Sequence, residues 1–245
     1  MELHIYDNSV ELGRDAAECI AKKLNEAIAE KGKARMILST GASQFDMFRY
    51  LVDQDVDWKN VEMFHLDEYI GLSESHPASF RKYLRDRFTN IVPVTPYFVN
   101  TEGDIRTNLE ALTGELRKET IDVGVIGIGE NGHIAFNDPP ADFDTREAYK
   151  VVDLDEKCRM QQVGEGWFSS LEDTPAQAVS MTPYQIMQCR CIVSVVPDGR
   201  KAEAIRGTLE TEGVSNEIPA TLLKEHKEWY LYLDRESASG FLSVR

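Results

Sequence analysis

The feature that most constrains this chain is a sustained alternation of short apolar runs with stretches of helical periodicity. Residues 3–6, 36–39, 61–66, 123–128, 191–196 and 229–233 are apolar at nearly consecutive positions. Strands that are apolar on both faces need helices on each side, which a mainly parallel sheet supplies. Between them, Asn8 and Glu11 resemble a capping box opening a helix to about residue 31, with Leu12, Ala16, Ile20, Leu24 and Ile28 on one face. Ile105, Leu109, Leu112 and Leu116 mark a second helical face. No internal repeat or long linker interrupts the pattern. The expected fold is α/β: a doubly wound, mainly parallel sheet with helices on both faces, Rossmann-like in outline, as one domain over residues 1–245. In such sheets ligands bind beyond the carboxyl ends of the strands. Three informative segments fall there: Thr40-Gly41-Ala42-Ser43, Asp67-Glu68 and the stretch after Ile128.

That stretch contains a misleading motif. Gly127-Ile128-Gly129-Glu130-Asn131-Gly132 matches a dinucleotide-binding fingerprint, with Asp153 at a suitable distance downstream. The fingerprint requires a crossover helix that begins inside it. Pro139 and Pro140 follow too soon, because a proline removes a helical donor and clashes with the preceding turn. The stretch is therefore read as a glycine-rich turn that presents His133, with no dinucleotide. Glu130, Asn131, Asn137 and Asp138 crowd the same loop, and an imidazole beside a carboxylate is oriented for proton transfer near neutral pH.

Composition narrows the partners. A net charge of −15 leaves no basic face for nucleic acid. No apolar run approaches the roughly 20 residues that span a bilayer, and the N-terminus has no basic segment followed by an apolar one. Four cysteines, Cys19, Cys158, Cys189 and Cys191, show neither a disulfide framework nor metal-site spacing. Cys189 and Cys191, two apart, are expected to face one side of a strand as small hydrophobes. The expected location is cytoplasmic, and no cluster of histidines and cysteines has metal-ligand spacing.

The stretch GIGENGHIAFNDP at 127–139, with FHLDEYIGL at 64–72, resembles the glucosamine-6-phosphate deaminase family, also called glucosamine-6-phosphate isomerases. Thr40-Gly41 after a strand and DGRKAEAI at 198–205 stand in the matching order, and the resemblance covers nearly the whole chain. The related 6-phosphogluconolactonases share the fold and a Gly-Gly-His loop, but the Ile-Ala-Phe-Asn run after His133 and the Asp-Glu-Tyr at 67–69 look like the deaminases. The resemblance implies ring opening, aldose–ketose isomerisation and loss of ammonia from an amino-sugar 6-phosphate, without metal or cofactor. It leaves room for galactosamine 6-phosphate as substrate, for lactone hydrolysis, for a sensor that binds without turnover, and for a homo-oligomer.

By the same resemblance Asp67 is the base that carries a proton between adjacent carbons, Glu68 supports its loop, and His133 opens the sugar ring. Asn131 and Asp138 stand where one version of the family has an aspartate and a glutamate. Asn131 is expected to orient His133 by hydrogen bonding without adding charge, and Asp138 to bring a carboxylate on a shorter stem. Thr40, Gly41, Ala42 and Ser43 lie between a strand and a helix start, where free amides and hydroxyls favour an anion. Lys201 matches the family's phosphate lysine. The family's threonine-arginine and asparagine-x-arginine pattern is degraded here to EKCRMQQVGEGWF at 156–168; Arg159 is the candidate for the first arginine, and nothing replaces the second. Trp167 and Phe168 are expected in apolar packing.

Overall fold

In a computed structural model that describes residues 1–164 and 166–242, ten strands and eight helices alternate. The strands are β1 (Glu2–Tyr6), β2 (Ala34–Leu38), β3 (Val61–His65), β4 (Asp67–Tyr69), β5 (Thr95–Tyr97), β6 (Val123–Val125), β7 (Tyr149–Asp153), β8 (Gln177–Met181), β9 (Cys191–Val196) and β10 (Trp229–Asp234). The helices are α1 (Ser9–Lys31), α2 (Phe45–Leu51), α3 (Phe80–Leu84), α4 (Ile105–Leu116), α5 (Glu156–Gly164), α6 (Pro183–Ile186), α7 (Ala202–Glu210) and α8 (Ser239–Leu242).

Seven strands form one sheet in the order β1-β10-β9-β6-β2-β3-β5, and every pairing in it is parallel. β2 is buried at all positions because helices cover both of its faces. Met36 and Leu38 point into a core with α1, α2 and α3, while Ile37 points into a second core with α4, α7 and the remaining strands. This is the doubly wound α/β arrangement expected from the alternation. The strand order reverses between β2 and β6, so their carboxyl ends diverge and leave a crevice.

Local chemistry explains the first unit. The Asn8 side chain accepts from the backbone N–H groups of Val10 and Glu11 at the start of α1, and Gly32 ends the helix in the left-handed region at φ 80°. Gly13 is required by packing: a Cβ there would lie 2.7 Å from the backbone nitrogen of Met47, so α1 and α2 can cross this closely only over a glycine.

Three strands depart from expectation. Asp67–Tyr69 does not follow straight on from β3; it forms β4, which pairs antiparallel with β8, and β8 pairs antiparallel with β7. This small second sheet lies over one face of the large one. The cysteines also differ from the sequence reading: Cys189 precedes β9 and packs in the core under the second sheet, whereas Cys191 packs on the α1 side. Both are buried as small apolar groups. Among the described residues no helix is long and apolar enough to cross a membrane.

At the amino end of the sheet Arg35 is only 1% exposed. Its guanidinium pairs with Glu62 at 2.7 Å, donates to the carbonyls of Glu115, Leu116 and Glu119 at the end of α4, and stacks over Phe64. Arg35→Met keeps the stem but leaves Glu62 and these carbonyls without their donor. Removing one partner of a buried ion pair typically costs about 3–5 kcal/mol. Urea unfolding should show a lower midpoint with an unchanged slope; a loss under about 1 kcal/mol would mean that water replaces the guanidinium.

Candidate active site

The crevice opens into a cavity of about 350 Å³ lined from five strand ends. Residues 39–43 follow β2, Leu66 and Asp67 follow β3, Gly127–Gly129 and His133 follow β6, Pro197–Lys201 follow β9, and Asp234 and Glu236 belong to the end of β10. Thr40, Gly41, Ala42, Ser43, Asp67, His133 and Lys201 all reach this one cavity, although they are spread across most of the chain.

Asp67 is 7% exposed and lines the cavity at the start of β4. Burial, reinforced by the neighbouring Glu68 carboxylate, pushes its carboxyl up to about 8 from an ordinary value of 3.8. A carboxyl so deprived of water takes and returns a proton near neutral pH. Glu68 points the other way and is fully buried. It accepts from the Ser79 hydroxyl and from the backbone N–H groups of Tyr69, Phe80 and Arg81, and pairs with the Arg81 guanidinium at 3.3 Å. Glu68 thus ties the 70–81 connection to β4 and supports Asp67 from behind.

His133 sits on the glycine-rich turn. Its imidazole lies so close over Gly129 that a Cβ there would fall 2.2 Å from Nε2, and Gly132 takes a left-handed φ of 84°. Between Val125 and Tyr149, all of it described, the chain forms turns and a short bridge, not a crossover helix, as the proline argument anticipated. The turn is braced against β8: the Asn137 amide donates to the carbonyls of Ile134 and Met181, and Phe136 N–H donates to the Ser180 hydroxyl. Nδ1 of His133 approaches Asp138 Oδ1 at 2.9 Å without the alignment of a well-formed hydrogen bond. The contact leaves Nε2 as the nitrogen for a ligand. Burial raises the Asp138 carboxyl, but the imidazole and the Asn131 amide more than offset it, so the net shift is downward. Asn131 hydrogen-bonds His133 as expected, through the backbone and not the imidazole. Its amide donates to Asp138 at 2.9 Å and its oxygen accepts from the backbone N–H of His133. It acts through the carboxylate.

The same cavity carries groups that can meet an anion. Gly41 (φ 104°) turns the chain so that Ala42 and Ser43 open a single 3-10 turn before α2, and the Tyr83 hydroxyl donates to the Gly41 carbonyl at 2.7 Å. The sequence reading missed Gln44, whose amide donates to Ser43 Oγ and to the Val195 carbonyl. Because Ser43 accepts from below, its own proton is left to donate toward the cavity. Lys201 is buried beside this turn on the loop after β9. Asp198 holds that loop at φ 87°, its N–H donating to Asp234. Arg200, also missed, lines the cavity and pairs with Asp198 at 2.7 Å and with Glu130 at 3.7 Å.

Arg159 is the sequence candidate that the structure moves out of the site. It points away from the cavity and donates to the carbonyls of Leu171 and Thr174, so it fastens the loop after α5. What α5 sends into the cavity instead is Gln162. Phe168 packs edge-on to Tyr69, and Trp167 packs edge-on to Tyr83.

A buried carboxyl and an imidazole that share a cavity with a hydroxyl-bearing turn and a lysine, at the switch point of a parallel sheet, can together do acid–base chemistry on a small anionic molecule. The chain belongs to the family of glucosamine-6-phosphate isomerases and 6-phosphogluconolactonases, whose profile matches residues 7–231. It is 33% identical to a glucosamine-6-phosphate deaminase of Thermoanaerobacter sp. (strain X514), over 98% of this chain and 94% of that one. It is 31% identical to a protein of the same name from Streptococcus sanguinis (strain SK36), over 98% of both. A solved monomeric glucosamine-6-phosphate deaminase superposes with a TM-score of 0.90 at 29% identity, covering 98% of this chain and 100% of that one. A putative 6-phosphogluconolactonase from Neisseria gonorrhoeae shares the fold at a TM-score of 0.75 and 22% identity, over 96% of this chain and 99% of that one.

Proposed function

We propose that this protein is a glucosamine-6-phosphate deaminase, converting glucosamine 6-phosphate and water to fructose 6-phosphate and ammonia. The observation that carries this reading is that Asp67 and His133 share one cavity with the Thr40–Ser43 turn and Lys201. The relatives that bear this name support it. The turn amides, the Ser43 hydroxyl and Lys201 hold the phosphate. His133 Nε2 takes the proton of the hydroxyl on the first carbon and returns one to the ring oxygen, which opens the pyranose. Asp67 then removes the proton from the second carbon and delivers it to the first, while a proton passes from the nitrogen to the oxygen on the first carbon. The nitrogen is left double-bonded at the second carbon, where water adds and ammonia leaves. One carboxylate suffices because the two carbons are adjacent and on one face.

The reading predicts a pH dependence. Asp67 must be ionised to take a proton from carbon, and burial holds it protonated up to about 8 in the empty site. Thus kcat/KM should climb as pH rises through that region; an optimum below pH 6 would contradict the assignment. Substrate choice is tested by a panel of glucosamine 6-phosphate, galactosamine 6-phosphate and 6-phosphogluconolactone, scored for ammonia and for acid release. Ammonia from glucosamine 6-phosphate with the highest kcat/KM is expected. Acid release from the lactone as the one activity would overturn the reading.

A further inference from the structure

We propose that Gln162 is a specificity-determining residue that reads a sugar oxygen of the substrate through a neutral amide carried on α5. The inference rests on the deaminase reading and deepens it. Gln162 is 7% exposed and lines the cavity. Its Oε1 accepts from the Tyr69 hydroxyl at 2.9 Å. That bond fixes which way the amide faces: the oxygen is engaged, and the NH2 group remains to meet a ligand. Tyr69 is itself fully buried, and stands two residues from Asp67 on β4, so both side chains leave the strand on the same face. A buried amide so held presents donors only, and donors recognise a hydroxyl or carbonyl oxygen.

The cations divide differently. Arg159, on the same helix, is committed to the carbonyls of Leu171 and Thr174. Lys201 and Arg200 line the cavity from the loop after β9, beside the Thr40–Ser43 turn. Among the described residues, the cations that line the cavity come from one wall, and the α5 side chain that lines it is uncharged. Removal of Gln162 should weaken the sugar contact while leaving the phosphate contact intact.

Two variants separate the possibilities. Gln162→Leu removes both amide functions, and Gln162→Glu keeps an acceptor for the Tyr69 hydroxyl while removing the donors. Titration calorimetry with the reduced open-chain amino-sugar phosphate, which cannot isomerise, is run beside competition by inorganic phosphate. About tenfold weaker binding of the sugar ligand is expected for both variants, as for loss of one directed hydrogen bond, with phosphate affinity within twofold of the parent for Gln162→Leu, the variant that adds no charge. Equal weakening for inorganic phosphate would place Gln162 at the phosphate and overturn the proposal. So would Gln162→Glu binding the sugar ligand as tightly as the parent, since the amide's donors would then be irrelevant. Matching thermal midpoints exclude misfolding as the cause. If the parent binds the sugar ligand but releases no ammonia from glucosamine 6-phosphate, the deaminase reading fails while the titrations still decide the role of Gln162.

Discussion

Asp67→Asn is expected to lower ammonia release from glucosamine 6-phosphate by about a thousandfold or more, because the amide is isosteric but cannot take a proton from carbon. The same variant should be more stable than the parent at alkaline pH. The Asp67 carboxyl binds its proton more tightly in the folded chain, at about 8, than in the unfolded chain, near 3.8. Its contribution to stability is therefore complete below the unfolded value and is lost as pH rises toward 8. Asparagine has no such penalty. The variant should gain on the order of a few kcal/mol over the parent at pH 9, and nothing at pH 3. Thermal melts at the two pH values check this. A variant that is inactive but no more stable at pH 9 would mean that Asp67 is better hydrated than its 7% exposure implies.

His133→Gln is expected to lower turnover by about a hundredfold to ten-thousandfold while phosphate binding is kept. The imidazole is proposed to open the ring and not to act at carbon. The residual rate should therefore stop rising with added enzyme once spontaneous ring opening limits the supply of aldehyde. A residual rate that stays proportional to enzyme at all concentrations would assign His133 to the later proton transfers. Asp138 occupies the Nδ1 side at 2.9 Å, and Gly129 gives the ring the space that a Cβ would fill.

The parts of this arrangement that were legible in the sequence are those where burial acts on every residue of a segment. The runs that became β2 and β9 are buried at each position, so their composition alone marks strands covered on both faces. The loops that meet at the cavity follow from strand ends, and the prolines at 139 and 140 distinguish the His133 turn from a dinucleotide site. The second sheet was not legible. A strand is expected near Tyr149, where β7 begins, but its pairing with β8 and β4 is not, because the run at 61–66 is expected to end at Asp67-Glu68 with no further strand there.

The missing site residues have a shared cause. Gln44 and Gln162 are uncharged, lie in short helical segments, and acquire their roles only from what folds against them: Ser43 and the Val195 carbonyl in one case, the Tyr69 hydroxyl in the other. Arg159 failed for the opposite reason. The family resemblance offered it as the first phosphate arginine, but the loop after α5 offers carbonyls within its reach. Asn131 meets its expected partner, His133, through that residue's N–H, and its second contact, the Asp138 carboxylate, is one that sequence spacing does not reveal.

The central claim is a reaction with a defined balance, and product stoichiometry tests it most directly. Purified protein incubated with glucosamine 6-phosphate should release ammonia and fructose 6-phosphate in equal amounts, with no added metal or cofactor. Saturable binding of glucosamine 6-phosphate with neither product formed would contradict the account and leave a protein that binds this sugar without converting it.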